Sequence, residues 1–287
     1  SAGEEPIRYI DALFTSISAV CVTGLTVLDT PKDFVVLGQI IILVLIQIGG
    51  LGIMTLSTFA AIMLGRNIGL NPEYSLSQTV GTTGMRPILR LIKFIGLSTL
   101  AVEAVGAGIL SALFLKDGLP LRSALWKGLF HAISAFNNAG FALQSDNLAS
   151  YTTKPGIVLI ISILIILGGL GFGVLSWLWD WSRRRAGKIS FQVKVVLIFT
   201  GVLLASATLL FLCSEAGHAL RGLCWRDRVV NAWFCAVTPR TAGFNTISIE
   251  SLRPLNRYVI MLMMFIGVAP GSTGGGIKIT TFVVLLL

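Results

Sequence analysis

The chain has 287 residues, 54% of them hydrophobic and only 12% charged, against roughly 25% charged in an ordinary soluble domain. That composition excludes a soluble globular domain and reads as an all-helical membrane protein. The net charge of +9 does not point to nucleic acid, because a nucleic-acid binder carries its lysines and arginines on a hydrophilic body that is absent here.

The opening residues, SAGEEPIRYI, have neither the basic head nor the apolar core of a cleavable signal. From Phe14 the chain reads FTSISAVCVTGL and then enters an apolar run over 34–64 that contains IQIGGLGIMTLS. A second apolar run, 88–115, leads to a short helix expected near 122–136, reading FHAISAFNNAGF from Phe130, with a turn at 137–143. The third run, 156–179, contains IILGGLGFGVLS. A fourth, 193–213, leads to a short helix near 226–238, reading WFCAVTPRTAGF from Trp233, and a turn at 239–246. The fifth, 258–287, contains FIGVAPGSTGGGIKITT. Each run reaches the ~20 residues that cross a hydrocarbon core of about 30 Å, so five spans are expected.

These segments repeat. Phe14 to Gly24, Phe130 to Gly140 and Trp233 to Gly243 share one aromatic-to-glycine spacing, and each is followed by a glycine-bearing span. The unit is a span, a half-length helix, a glycine turn and a second span. A helix of about ten to fifteen residues cannot cross a bilayer, so it enters and returns. Irregular backbone at that depth is tolerated only where protein or a water-filled cavity surrounds it. Its bared carbonyls are then free to replace the water shell of a cation, helped by the negative end of the short-helix dipole. Glycine is suited to the positive-φ backbone that turns successive carbonyls to one axis. The alternative, glycine-capped interfacial helices in a non-transporting scaffold, gives no reason for three copies in register. All three copies run in the same sense, which argues against a solute carrier built from two inverted halves.

Gly49, Gly50, Gly168 and Gly169, in the two GGLG stretches, read as close-packing points between helices. Glu103 in the second span is expected to pair structurally, and Arg240 in the third turn to point away from cations toward carbonyls or a carboxylate. Lys278 either plugs the pathway or tethers the loop before it. His131 and Ser134 are read as scaffold, and His218 carries no signal. Cys21, Cys213, Cys224 and Cys235 have neither CxxC nor histidine spacing and are expected to be buried free thiols. No Ser-His-Asp or paired-carboxylate pattern appears, so no enzyme is expected. Arg66, Arg86, Arg90 and Lys93, and Arg183, Arg184, Arg185, Lys188 and Lys194, with only Glu73 and Asp180 nearby, favour those two connections as cytoplasmic.

AVCVTGL, ISAFNNAGF, PRTAGFNT and PGSTGGGIKITT, in this order and spacing, resemble the Trk/Ktr/HKT superfamily of potassium transporters, most closely the Ktr-type bacterial transmembrane subunit. The resemblance implies membrane-helix/pore-helix/membrane-helix units, four per subunit, around a central pathway. It places filter segments at Val22, Thr23, Gly24 and Leu25; at Asn138, Ala139, Gly140 and Phe141; and at Thr241, Ala242, Gly243 and Phe244. Glycine at these positions goes with potassium in the family, whereas serine in the first repeat goes with sodium in some plant members. PGSTGGGIK matches the family's intramembrane gate loop: Pro270, Gly271, Ser272, Thr273, Gly274, Gly275, Gly276 and Lys278. It is not a phosphate-binding loop, since Ile277 separates Gly276 from Lys278.

The expected organisation is a first repeat at 1–65 without its leading span, a second at 66–182 and a third at 183–287. A single chain with three filter segments does not close a four-walled pathway, so the chain is expected to be a piece of a longer protein. The resemblance further implies a multi-pass protein of the bacterial plasma membrane, a homodimer, and a cytosolic nucleotide-binding regulatory subunit. Potassium is the transported ion, sodium is left open as an activator or as the cation itself, and no cofactor is bound by this chain.

Overall fold

The computed structural model describes residues 7–63, 85–183 and 189–286. Arg66, Glu73, Arg184, Arg185 and Lys188, on which much of the orientation reading rests, lie outside them, as does the boundary at 65/66. The described residues are helical, with no strand beyond an isolated bridge between Ile266 and Ile277. The helices are α1 (Tyr9–Val20), α2 (Thr30–Asp33), α3 (Val36–Met63), α4 (Met85–Lys116), α5 (Leu121–Phe136), α6 (Pro155–Leu170), α7 (Phe172–Ser182), α8 (Phe191–Glu215), α9 (Trp225–Val237), α10 (Pro254–Phe265) and α11 (Ile279–Leu286).

Stretches Val36–Leu56 of α3, Ile92–Lys116 of α4 and all of α8 are long and apolar enough to cross a bilayer. The remaining two expected spans are broken. The run at 156–179 does not continue as one helix: α6 and α7 meet at an elbow of 109°. Gly171 causes it, with φ 78° and ψ 158°, a region open essentially to glycine alone. The run at 258–287 is interrupted between α10 and α11, where the glycine- and proline-rich loop replaces helix. Helix starts follow local chemistry. Pro155 and Pro254 sit in the first turns of α6 and α10, and the Ser190 hydroxyl accepts from the Val193 N–H at the start of α8.

Helices α1, α5 and α9 have 12, 16 and 13 residues, or roughly 18–24 Å at 1.5 Å per residue, too short to cross. Each is held by close contact with a longer helix. A Cβ on Gly49 of α3 would lie 1.9 Å from the Val20 carbonyl oxygen at the end of α1. One on Gly168 of α6 would lie 1.8 Å from the Phe136 oxygen at the end of α5. Gly128 of α5 rides against α4, its Cβ position 2.1 Å from Ser111 Oγ. The GGLG glycines are thus packing points. The core around the short helices is aromatic and fully buried, with Phe114, Phe130, Phe136, Phe141, Phe234 and Phe244. One face of each of α3, α4 and α8 buries residues such as Ile46, Leu110 and Val196, while Ile41, Val44, Leu97, Leu100, Val105, Ile198 and Val202 are exposed, as lipid contact requires. The cysteines correct the sequence reading: all four are free, but only Cys235 is buried, whereas Cys21, Cys213 and Cys224 are exposed.

Candidate ion pathway

Each short helix ends on a left-handed turn. Val22, Asn138 and Thr241 have φ of 55°, 57° and 64°, and two residues later Gly24, Gly140 and Gly243 have φ of 73°, 72° and 74°. The residue between is not in that region in any of the three. The first two turns close identically: Thr23 N–H donates to the Ser18 carbonyl (3.0 Å) and Ala139 N–H to the Ser134 carbonyl (2.8 Å), the six-to-one bond of a Schellman ending. Glycine at the third position was legible in the sequence. The left-handed residue two before it was not, because valine and threonine are β-branched and disfavour this backbone.

The three turns meet. A Cβ on Gly24 would lie 2.6 Å from the Ala139 oxygen, and one on Gly140 would lie 2.9 Å from the Ala242 oxygen and 3.1 Å from Gly243 Cα. One on Gly243 would lie 3.2 Å from Gly140 Cα. Going from one turn to the next, the carbonyl before each glycine faces the preceding turn's glycine. The residues after the glycines behave differently. The Phe141 carbonyl accepts from Ser134 Oγ (2.7 Å) and the Phe244 carbonyl accepts from Thr238 Oγ1, so both are drawn back toward their own short helices. Leu25 is 62% exposed. His131, fully buried, braces the second turn, facing the Lys127 carbonyl through Nδ1 (2.7 Å) while Nε2 accepts from the Leu143 N–H (3.4 Å). That geometry calls for a neutral ring protonated on Nδ1. In the first turn Ser18 and Thr23 hydroxyls are hydrogen-bonded at 2.9 Å.

Two cavities touch the turns. A polar one of about 460 Å³ touches Gly24, Gly140, Asp29, Gln144, Asp146 and Asn245. Its floor is tied across repeats by Leu148 N–H to the Asn245 carbonyl (3.0 Å) and Asn245 N–H to Asn147 Oδ1 (3.1 Å). A second cavity, about 390 Å³, touches Val22, Thr23, Thr241, Gly243, Thr273 and Gly274.

The 266–278 loop packs against the start of the turns. Its neck is closed by Gly267 N–H donating to the Ile277 carbonyl (3.0 Å), and Gly267 and Gly276 approach so closely that a Cβ on either would lie 2.7 Å from the other's Cα. Thr273 Oγ1 donates to the Phe136 carbonyl at the end of α5 (3.2 Å), and a Cβ on Gly274 would lie 2.3 Å from Thr241 Oγ1. Ser272 Oγ turns inward to the Ala269 carbonyl (2.5 Å). The loop is also bonded to the elbow between α6 and α7: Phe172 N–H to the Gly271 carbonyl (2.9 Å), Ala269 N–H to Gly169 (3.0 Å) and Thr273 N–H to Gly168 (3.3 Å). A Cβ on Gly171 would meet the Pro270 oxygen at 2.5 Å.

Of the charges left open by sequence, Lys278 tethers: its Nζ donates to the Gly274 carbonyl (2.6 Å) within the loop. Glu103 pairs with amides rather than with a base, accepting from Gln47 Nε2 (3.1 Å) and Asn137 Nδ2 (2.9 Å). Arg240 is 3% exposed, and its Nη2 has no partner among the described residues. His218 faces Glu215 at 3.2 Å. Among the described residues no cluster of His, Cys, Asp and Glu fits a metal ion.

Half-length helices that end in converging left-handed turns, set among bilayer-crossing helices, define a polytopic helical membrane protein with re-entrant segments. A family model described as TrkH, cation transport protein, matches residues 2–287. The chain belongs to that family. It is 42% identical over 286 residues to the Ktr system potassium uptake protein B of Bacillus subtilis, covering 98% of this chain and 63% of that protein. It is 37% identical over 288 residues to the potassium/sodium uptake protein NtpJ of Enterococcus hirae, covering 100% of this chain and 63% of that protein. The crystal structure of the potassium transporter TrkH from Vibrio parahaemolyticus superposes with a TM-score of 0.76 at 22% identity, over 98% of this chain and 55% of that one. The fold is therefore that of TrkH, and the chain spans less than two thirds of the length of the relatives it matches.

Proposed function

We propose that this chain supplies three of the four walls of a potassium uptake pathway in a bacterial plasma membrane. The repeats are 1–65, 66–182 and 183–287. Gly24, Gly140 and Gly243, with the backbone at Val22–Thr23, Asn138–Ala139 and Thr241–Ala242, form the cation filter. The observation that carries this reading is the mutual approach of three left-handed turns, with peptide oxygens of Ala139 and Ala242 directed at the neighbouring turn's glycine. Peptide oxygens so placed substitute for a cation's hydration shell. Phe141 and Phe244 act as anchors, their carbonyls held by Ser134 and Thr238, and Leu25 ends the first segment. The polar cavity with Asp29 and Asp146 is the wide mouth, where negative charge gathers cations.

The 270–278 loop is the gate. It lies between the turns and the elbow, held there by Thr273 to Phe136 and by the elbow bonds at Gly271, Ala269 and Thr273, and fastened internally by Lys278 to Gly274. The elbow opens into α7, which leads toward the basic 183–194 connection. A cytosolic nucleotide-binding subunit that engages that connection moves the loop through Gly171. Two copies of the full-length protein form the dimer, and sodium acts as an activator.

Reconstitution of the full-length protein in vesicles tests the gate and the pathway together. Shortening the loop between Gly271 and Gly276 is expected to raise potassium flux, and Lys278→Met to raise it less, because only a bond within the loop is lost. Absence of potassium flux in the unaltered protein would leave the scaffold reading in its place. Equal flux in the unaltered and shortened forms would refute the gate.

A further inference from the structure

The second turn carries a brace that the others lack. Asn137 follows the last residue of α5 and precedes the left-handed Asn138. Its side chain is fully buried, and the two hydrogens of its Nδ2 are shared among Glu103 Oε1 on α4 (2.9 Å), the Ile133 carbonyl of its own helix (2.9 Å) and, at longer range, Gln47 Oε1 on α3 (3.2 Å), while its Oδ1 has no partner among the described residues. Gln47 Nε2 completes the ring by donating to Glu103 Oε2 (3.1 Å). Gly50 leaves room for the amide, since a Cβ there would lie 1.9 Å from Asn137 Oδ1. Three helices of two repeats therefore clamp one amide at the point where the helix gives way to the turn. Three residues before their glycines, the other two turns carry Cys21 and Arg240 instead.

Glu103 is 2% exposed in the middle of a membrane-crossing helix, and no basic group pairs with it among the described residues. A carboxylate in such a place is costly unless its oxygens are satisfied, and here both accept from amides. Neither it, Gln47 nor Asn137 lines either of the two cavities that touch the turns. Bulk hydrophobic packing needs no such arrangement at this depth. A fixed polar network behind a turn whose next residues have φ of 57° and 72° instead limits how far that turn can widen or contract.

We infer that Gln47 and Glu103 are positioning residues that set cation discrimination at the second turn by holding Asn137. The inference rests on the turns being the cation filter. A filter that discriminates between ions of different size needs its oxygens held at a set spacing or field strength, and a loose second turn admits the smaller ion.

The test is the ratio of potassium to sodium flux in vesicles containing the full-length protein, with thermal stability measured on the same samples. Glu103→Ala and Asn137→Ala are expected to lower the ratio about tenfold while potassium flux persists. Glu103→Gln is expected to lose only about threefold, because its amide oxygen still accepts from Asn137 while the bond to Gln47 Nε2 alone is lost. Should Glu103→Ala not fold, Gln47→Ala removes one arm and leaves the Glu103–Asn137 bond; a drop of about threefold is expected. If the unaltered protein passes no potassium, the filter reading itself fails. If it does and the alanine variants keep the ratio, losing only stability, the positioning role is wrong. A Glu103→Gln variant as unselective as Glu103→Ala would overturn it differently, by assigning the effect to charge.

Discussion

Gly140→Val is expected to cut potassium uptake by the full-length protein more than ~10-fold while the protein still reaches the membrane. Two costs combine. Gly140 has φ of 72°, where a β-branched residue is strained by about 1–3 kcal/mol, and every 1.4 kcal/mol is a factor of ten. Its Cβ would also stand 2.9 Å from the Ala242 oxygen and 3.1 Å from Gly243 Cα, both backbone atoms with no rotamer to yield. The second and third turns must then separate, and the peptide oxygens proposed to replace the ion's water lose their spacing. Gly24→Val meets the Ala139 oxygen at 2.6 Å and is expected to do at least as much. Gly243→Ala has the same φ strain but its nearest neighbour, Gly140 Cα, is 3.2 Å away, so it should be the mildest of the three. Uptake assayed in potassium-uptake-deficient cells, with membrane protein quantified, checks the order. Normal uptake by Gly140→Val at normal expression would remove the basis for the filter.

The second large effect is on folding. Gly49→Leu places a Cβ 1.9 Å from the Val20 oxygen and 2.7 Å from its carbon, against the end of α1, which cannot retreat without losing its turn. Substitutions that overfill a packed interior cost about 1–3 kcal/mol and occasionally more, and here the obstructing atoms are backbone. Gly52→Leu, three residues along the same helix, has nothing within 4 Å and is expected to change stability by less than ~0.5 kcal/mol, as surface substitutions do. Thermal melting in detergent, followed by the monodisperse fraction, separates the two. Equal melting of both variants would show that the short helix is not seated against α3.

Much of the architecture was legible because it is written in length and apolarity. A half-length helix near 122–136 became α5 at Leu121–Phe136, and one near 226–238 became α9 at Trp225–Val237. Both were bounded by an apolar pattern that stops at a glycine turn. The paired glycines were read correctly as contact points, since absence of a side chain is itself the signal for close approach. The elbow at Gly171 escaped notice because apolarity over 156–179 is indifferent to backbone direction. Only the crowding of glycines in GGLGFG hinted at it. The left-handed φ of Val22 and Thr241 had no signal, as tertiary packing overrides the preference of valine and threonine there, whereas Asn138 is of a residue type that favours it. Glu103 showed as a charge in a span, but its amide partners Gln47 and Asn137 stand 56 and 34 residues away in sequence, and no local pattern joins them. Three of the four cysteines face outward, which composition does not reveal.

The account depends on peptide oxygens of three turns coordinating one cation, and heavy-ion crystallography addresses that directly. Crystals of the full-length protein grown with thallium in place of potassium should give an anomalous peak between Gly24, Gly140 and Gly243, within coordination distance of the turn carbonyls. A peak displaced to the mouth beside Asp29 and Asp146, with none between the glycines, would contradict it.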